Sequence, residues 1–242
     1  MERIIYDRMA AHDATHWWYR ARREVLAGLI ARRIALPKSA RILEIGCGTG
    51  HNLAMLARFG AVDAIEIDPA ARKIAAERLG RPVGDAPLPS LADVADASYD
   101  LVAVLDVIEH VEDDRAALKA IAARLKPGGR ILVTVPQFMF LWSGHDVANH
   151  HFRRYSKATL RHAIDEAGLK VELLQSFNSL LFPLAVASRV AARMTGREGS
   201  DDTPPPRPVN ALFQAIFALE RFLVGRAPMP PGVSLVAIVS PR

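Results

Sequence analysis

Cysteine is nearly missing from this chain. Cys47 is the only one in 242 residues, so no internal disulfide can form and a reducing compartment is the expected setting. Aromatic residues make up only 7%, and neither an aromatic RNA-binding signature nor a long run of Lys or Arg is present. No stretch reaches the roughly 20 uninterrupted apolar residues of a membrane span. The opening Met1-Glu2-Arg3-Ile4-Ile5-Tyr6-Asp7 carries no apolar signal core. A cytoplasmic protein is therefore expected. What is plentiful is core material: half the residues are hydrophobic, enough for one domain or one domain with a subdomain. The net charge is +5, and it is spread unevenly. Arginines gather at Arg20, Arg22 and Arg23, at Arg32 and Arg33, at Arg153 and Arg154, and at Arg189, Arg193 and Arg197. That distribution suits an acidic small substrate or a phospholipid surface better than a nucleic acid.

One short segment carries most of the chemistry. Leu43-Glu44-Ile45-Gly46-Cys47-Gly48-Thr49-Gly50 reads as a buried strand running into a glycine turn, with helix spacing from His51 to Arg58. Glycines there free the backbone for positive φ and for close approach to a ligand. The spacing G-x-G-x-G differs from the dinucleotide fingerprint, and no Lys-Ser/Thr pair makes a phosphate loop. NAD and ATP are thereby disfavoured. A second strand, Ala61-Val62-Asp63-Ala64-Ile65-Glu66, ends in an acid where a doubly wound sheet places one to accept ribose hydroxyls. Asp68-Pro69 then opens a helix, Asp68 as its N-cap and Pro69 at its first position. Val83-Gly84-Asp85-Ala86, Tyr99 to Asp106 and Leu125 to Pro136 follow.

In that order these segments resemble the class I S-adenosylmethionine-dependent methyltransferases over residues 40 to 176. The resemblance implies an α/β fold, a Rossmann-like doubly wound sheet of seven strands, mostly parallel with an antiparallel last strand. It also implies S-adenosylmethionine as cofactor and S-adenosylhomocysteine as product. Glu44 and the Gly46, Cys47, Gly48 and Gly50 turn would then meet the methionine end, and Glu66 the ribose. Ile67 would cover an adenine face, Asp85 and Ala86 would meet the adenine amino group, and Asp106 would lie beside the sulfonium. Cys47 reads as a small residue packed in the turn. The alternative for Glu44, Glu66 and Asp106 is a cap or solvent carboxylate.

Strands are expected at 41 to 45, 62 to 66, 81 to 84, 100 to 105, 130 to 135, 169 to 176 and 233 to 239. Helices should follow the first, second and fourth, with another at 157 to 167. The whole chain reads as one methyltransferase domain: a helical cap at 1 to 36, the core at 40 to 176, a helical insertion at 177 to 232, and the last strand.

Three additions surround the core. From His12 to about Ile34 an amphipathic helix is expected. Trp17 and Trp18 cannot share one face, so one should pack on the core while the other, with Tyr19, closes over the cofactor. Arg20 or Arg22 could pair with the methionine carboxylate. The second addition, Pro136 to Ser156, resembles the acceptor-binding segment of small-molecule methyltransferases. Phe138, Phe140 and Trp142 would wall the acceptor, with Tyr155 beside them. His145 or His150 could take a proton, and Arg153 or Arg154 could hold an anionic group. Ser156 reads as a helix cap. The third comprises two apolar-faced helices, 180 to 193 and 211 to 224, joined by the Gly-, Asp- and Pro-rich segment Gly196 to Pro208. They could form a lid, a homodimer interface, a membrane-peripheral surface or simple core packing.

Methyl transfer to oxygen needs alignment and a base, and His110 is the first candidate. Asp106-x-x-Glu109-His110, with His145 or His150, also resembles the metal-binding arrangement of magnesium-dependent quinone and small-RNA O-methyltransferases. Asp106 stands where those families place Glu, and no metal ligand is assigned on that resemblance. A divalent ion is therefore allowed and not favoured. The expected function is methyl transfer to a small or lipid-linked acceptor at oxygen, as in bacterial natural-product, lipid or surface-glycan pathways. The alternatives are a metal-dependent phenol or quinone O-methyltransferase, and a cofactor-binding regulatory or partner subunit without catalysis.

Overall fold

The computed structural model describes residues 2–196 and 203–242. Arg197 and the middle of the expected linker between the late helices lie outside the described residues. Six strands form one sheet: β1 (Arg41–Ile45), β2 (Ala61–Ile65), β3 (Tyr99–Leu105), β4 (Leu125–Pro136), β5 (Leu169–Phe177) and β6 (Ser234–Pro241). Their order is β2-β1-β3-β4-β6-β5. β1 pairs in parallel with β2 and β3, and β3 in parallel with β4. β6 runs antiparallel to both β4 and β5, as expected of the last strand.

The seventh strand, expected at 81 to 84, is reduced to one bridge between Ile65 and Gly84. Pro82 lacks an N–H and Gly84 has no side chain to pack, so the edge holds a single residue. Its two bonds still matter, because Gly84 N–H to Ala64 and Glu66 N–H to the Gly84 carbonyl fix the backbone of Glu66.

Strand residues alternate between two apolar layers. Ile42, Leu101, Ala103 and Leu132 face α2 (Trp17–Arg33) and α9 (Arg207–Ala218). Leu43, Val102, Val104 and Ile131 face α5 (Asp114–Ala123) and α7 (Lys157–Glu166). The helix expected after β1 shrinks to α3 (Leu53–Leu56), whereas α4 (Pro69–Leu79) has the cap read for it. Asp68 Oδ1 accepts the N–H of Ala70 and Ala71 at 3.0 and 2.8 Å. Ser156 likewise caps α7 through the Thr159 N–H at 3.1 Å.

The N-terminal helix is two helices. α1 (Arg3–His12) ends before Asp13, whose carboxylate is taken by Arg78 and by the Thr49 hydroxyl. His16 starts α2 afresh by accepting the Trp18 N–H on its ring Nδ1. After β5 the chain forms α8 (Phe182–Thr195), then α9 and a 3-10 turn, Leu219–Phe222. The buried Glu220 carboxylate in that turn accepts the N–H groups of Asn178, Ser179 and Leu180 at 2.6 to 2.8 Å, so it clasps the root of α8. Among the described residues no helix is long and apolar enough to cross a membrane.

Candidate active site

The strand ends of β1, β2 and β3 bring together the residues that the sequence singled out. Gly46 has φ +66°, and a Cβ there would lie 2.7 Å from Val107; both facts require glycine. Gly48 donates its N–H to Glu66 Oε2 at 2.7 Å. The other oxygen of this buried carboxylate accepts the Asp68 N–H at 2.9 Å and the Tyr6 hydroxyl at 3.4 Å. Ile67 is exposed beside it, and Ala86 is buried. Asp85 lies outward, ion-paired with Arg72 at 3.0 Å. Cys47 is buried in the turn, and burial pushes its thiol well up. Glu44 accepts from the Asn52 amide at 2.8 Å, and burial raises its carboxyl to about 7.

α1, which falls within the helical cap expected at 1 to 36, lies on this turn. Besides Tyr6 on Glu66, the Met9 sulfur sits 3.2 Å from where a Gly48 Cβ would be. The only sequence signal for α1 was a weak apolar face, of which Ile5 and Tyr6 are the buried residues.

Arg22 is 1% exposed, and its Nη2 reaches Asp106 Oδ2 at 2.5 Å and the Thr134 hydroxyl at 2.7 Å. Its guanidinium lies 4.9 Å over the Trp18 ring. Trp18 meets Tyr19 edge-on at 5.0 Å, and Tyr19 meets His51. Trp17 instead packs on Phe213 and Phe217 of α9. Both tryptophans are half-buried against the same core layer, Trp17 toward α9 and Trp18 toward Arg22, and Arg22 faces Asp106. Arg20 lines a different space, a cavity of about 590 Å³ with Arg23, Arg58, Arg78 and His51, next to Gly50.

Past Asp106 a 3-10 turn, Ile108–His110, presents a cluster. Ligand atoms of Glu109, His110 and His151 all lie within 4.8 Å of one another, and the two imidazoles meet at 4.5 Å. Glu109 is fully buried with both carboxylate oxygens lacking a hydrogen-bond partner among the described residues. Burial and the nearby Asp106 push its carboxyl well up. Burial and His151 lower His110 to about 3, so it is neutral and weakly basic, contrary to the ordinary imidazole expected there. His151 Nδ1 is held by Asp146 Oδ1 at 2.9 Å. Burial of Asp146 opposes its charge, but hydrogen bonds from His151 and Arg154 outweigh it and keep the carboxyl well below its usual range. His151 is the loop histidine whose ring meets that of His110, and His150 lies near enough to act on His110 electrostatically. His145 stands farther off, 6.3 Å from His151, and His150 is exposed.

The segment from Pro136 to Ser156 contains α6 (Gly144–Ala148), and Phe152 N–H bonds the Glu109 carbonyl at 2.8 Å. Phe138 stacks with Phe140 at 5.1 Å and meets Phe182 of α8 at 5.7 Å. Trp142, half-buried, offers its carbonyl to Arg193. Arg154, Arg153 and Tyr155 have structural work. Arg154 bonds Asp146 and the Gln137 carbonyl, Arg153 the Glu112 carbonyl and Asp114, and the buried Tyr155 hydroxyl Asp114.

A family model described as a methyltransferase domain matches residues 16–174. The chain belongs to this family, the S-adenosylmethionine-dependent class I methyltransferases. It is similar to a ubiquinone biosynthesis O-methyltransferase of Xanthomonas campestris pv. campestris, 36% identical over 135 residues, covering 50% of this chain and 56% of the relative. The methyltransferase thus spans little more than half the length of that relative. The corresponding protein of Xanthomonas euvesicatoria pv. vesicatoria is 31% identical over 187 residues, 66% of this chain and 77% of the relative. An S-adenosylmethionine-dependent methyltransferase of Thermotoga maritima shares the fold at TM-score 0.59 and 19% identity, covering 98% of each chain.

The residues suit the methyltransferase cofactor. Glu66 offers a buried acceptor beside a glycine turn, exposed Ile67 offers an apolar face, and Arg22 and Asp106 set opposite charges near the strand ends. Thr134, Asp146 and His151 belong to this site as well. A loop rich in histidine was the only sequence signal for the last of them.

Proposed function

We propose that this methyltransferase transfers the methyl group to an oxygen of a small or lipid-linked acceptor, a phenolic hydroxyl being the class that the site suits best. One observation carries the reading: buried Glu109 and half-buried His110 and His151 cluster directly after Asp106, with His151 held by Asp146. The relatives named for ubiquinone biosynthesis act in their names at oxygen, which supports the same chemistry. S-adenosylmethionine, when bound, supplies an electrophilic methyl on a sulfonium that leaves as a thioether.

The chain's own residues then have distinct tasks. Glu66 and the Gly48 turn hold the cofactor, and the Arg22–Asp106 pair keeps charge balanced beside it. Phe138 and Phe140 orient a flat acceptor. Because the ionised Asp146 accepts from His151 Nδ1, that nitrogen carries the hydrogen and Nε2 keeps its lone pair. His151 Nε2 takes the hydroxyl proton as the oxygen–methyl bond forms, and Asp146 stabilises the resulting imidazolium.

A second reading has its own observation. Glu109, whose two buried oxygens lack partners among the described residues, can join His110 and His151 as ligands of a divalent cation, which would lower the pKa of a bound hydroxyl. Labelled methyl transfer into a panel of phenols, with and without EDTA and added Mg²⁺ or Zn²⁺, tests both. His151→Ala should lower kcat about 10²- to 10⁴-fold. EDTA-insensitive turnover would remove the cation, and failure to label any hydroxyl-bearing acceptor would overturn oxygen as the target.

A further inference from the structure

α8 is the anomaly of this fold. It is a 14-residue helix, largely apolar, and none of its side chains is buried. Leu184, Val190 and Met194 are exposed, Met194 at 82%. Val209 and Leu212 of α9 are exposed as well, as are Leu219, Phe222 and Leu223 after it. Among the described residues, about half of the exposed large apolar side chains therefore lie on these two helices and on residues 219–223. Apolar side chains left in water on a helix that buries none of its own residues mark a contact with something else.

Two further observations say what covers it. The first is charge. Arg189, Arg193, Arg207, Arg221 and Arg226 lie in the same segment, of which Arg221 is paired with Glu24, and Glu220 is the only acid among the described residues of 179–242 and is buried. Residues 197–202 add Arg197 with Glu198, Asp201 and Asp202, which leaves 179–242 net positive. A second copy docked about a two-fold axis would bring these arginines against one another, whereas an anionic lipid surface complements them. Apolar side chains edged by arginine are also the composition of helices that lie in a bilayer interface. The second is continuity with the acceptor wall. Phe182 of α8 touches Phe138 and Phe140, at 5.7 and 6.4 Å, and Arg193 Nη2 bonds the Phe140 carbonyl at 2.6 Å. Met139 and Phe140 are themselves exposed, so one apolar surface runs from α8 to the wall.

We infer that the α8–α9 face rests on an anionic bilayer surface, through which the acceptor's lipid tail reaches the Phe138–Phe140 wall. The second half of this inference rests on the proposed O-methyl transfer; the docking itself does not. The full chain should co-sediment with phosphatidylglycerol–phosphatidylcholine vesicles at low salt, and much less with pure phosphatidylcholine or at high salt. Arg207→Gln and Arg226→Gln should each weaken this binding about fivefold.

The triple variant Leu184→Asp, Met194→Asp, Leu212→Asp should abolish binding with unchanged circular dichroism, because these exposed side chains are not part of the core. It should methylate a short water-soluble phenol at the wild-type rate and a vesicle-embedded, lipid-tailed phenol at least tenfold more slowly. Wild-type protein that stays in the supernatant with anionic vesicles overturns the docking. So does a wild-type dimer by light scattering that the triple variant converts to monomer, since a second copy then covers the face. Vesicle binding without methylation of any phenol leaves the docking in place and refutes the O-methyl reading.

Discussion

Glu44 and Glu66 end up 18 residues or fewer from the same glycine turn, yet they differ in how they hold their charge. Glu66 accepts two backbone N–H groups, whereas Glu44 has one amide partner and an oxygen with none among the described residues. Burial therefore raises Glu44 from 4.5 to about 7. A folded value above the unfolded one means stabilisation that is complete below about pH 4.5 and is lost as pH rises through 7. The span of the shift corresponds to about 3 kcal/mol. Glu44→Gln keeps the contact with Asn52 without the titration. Urea unfolding of wild type and variant at pH 5, 6, 7 and 8 should show the variant gaining on the wild type as pH rises; a constant difference would mean that Glu44 is charged throughout. Both acids were legible in the sequence because each ends a strand whose register leaves one place for it. His151 was not. Three histidines stand within seven residues, and the choice is made by Asp146, which caps α6 and takes His151, and by the positive φ of His150, +55°, which turns adjacent side chains apart.

Elements were legible in proportion to their periodicity and capping. β1 matches its expected span residue for residue, and α4 and α7 start at the caps that their sequences announce. The strand at 81 to 84 is reduced because Pro82 and Gly84 interrupt it, and the break between α1 and α2 inside the helical cap was not legible because α1 buries little. The late helices were readable as apolar, but not the reason they stay in place. Glu220 supplies it: three N–H groups, those of Asn178 and Ser179 buried, converge on one carboxylate from 40 to 42 residues away in sequence. Glu220→Ala leaves those donors without an acceptor and should cost about 3 kcal/mol or more, at 1 to 3 kcal/mol for each unsatisfied group. Glu220→Gln keeps the oxygen that serves Ser179 and Leu180 and should cost clearly less. Equal midpoints for the two variants in denaturant would show that side-chain volume, and not the clasp, is what matters.

At the scale of the whole molecule, the cleft is assembled from parts far apart in the chain. α1 contributes Tyr6, α2 contributes Arg22 and Trp18, the sheet contributes Glu66, Asp106 and Thr134, and α9 anchors α2 through Trp17. No local pattern could announce that arrangement; it follows from α2 packing across the sheet, where Arg22 finds Asp106 and Thr134 as partners. A ligand in this cleft touches elements from the N-terminal helices to the fourth strand, so it should stabilise the chain as one unit. S-adenosylhomocysteine at 100 times its Kd should add about 2.7 kcal/mol, which for a domain of this size raises Tm by about 5 to 10 °C. The unfolding should remain a single transition. Glu66→Ala removes the charge-assisted acceptor, worth about 1.5 to 3 kcal/mol, and should cancel most of that rise at the same ligand concentration. If the variant kept the full rise, the ribose would be held elsewhere, and the coupling between α1 and the cofactor through Tyr6 and Glu66 would fall with it.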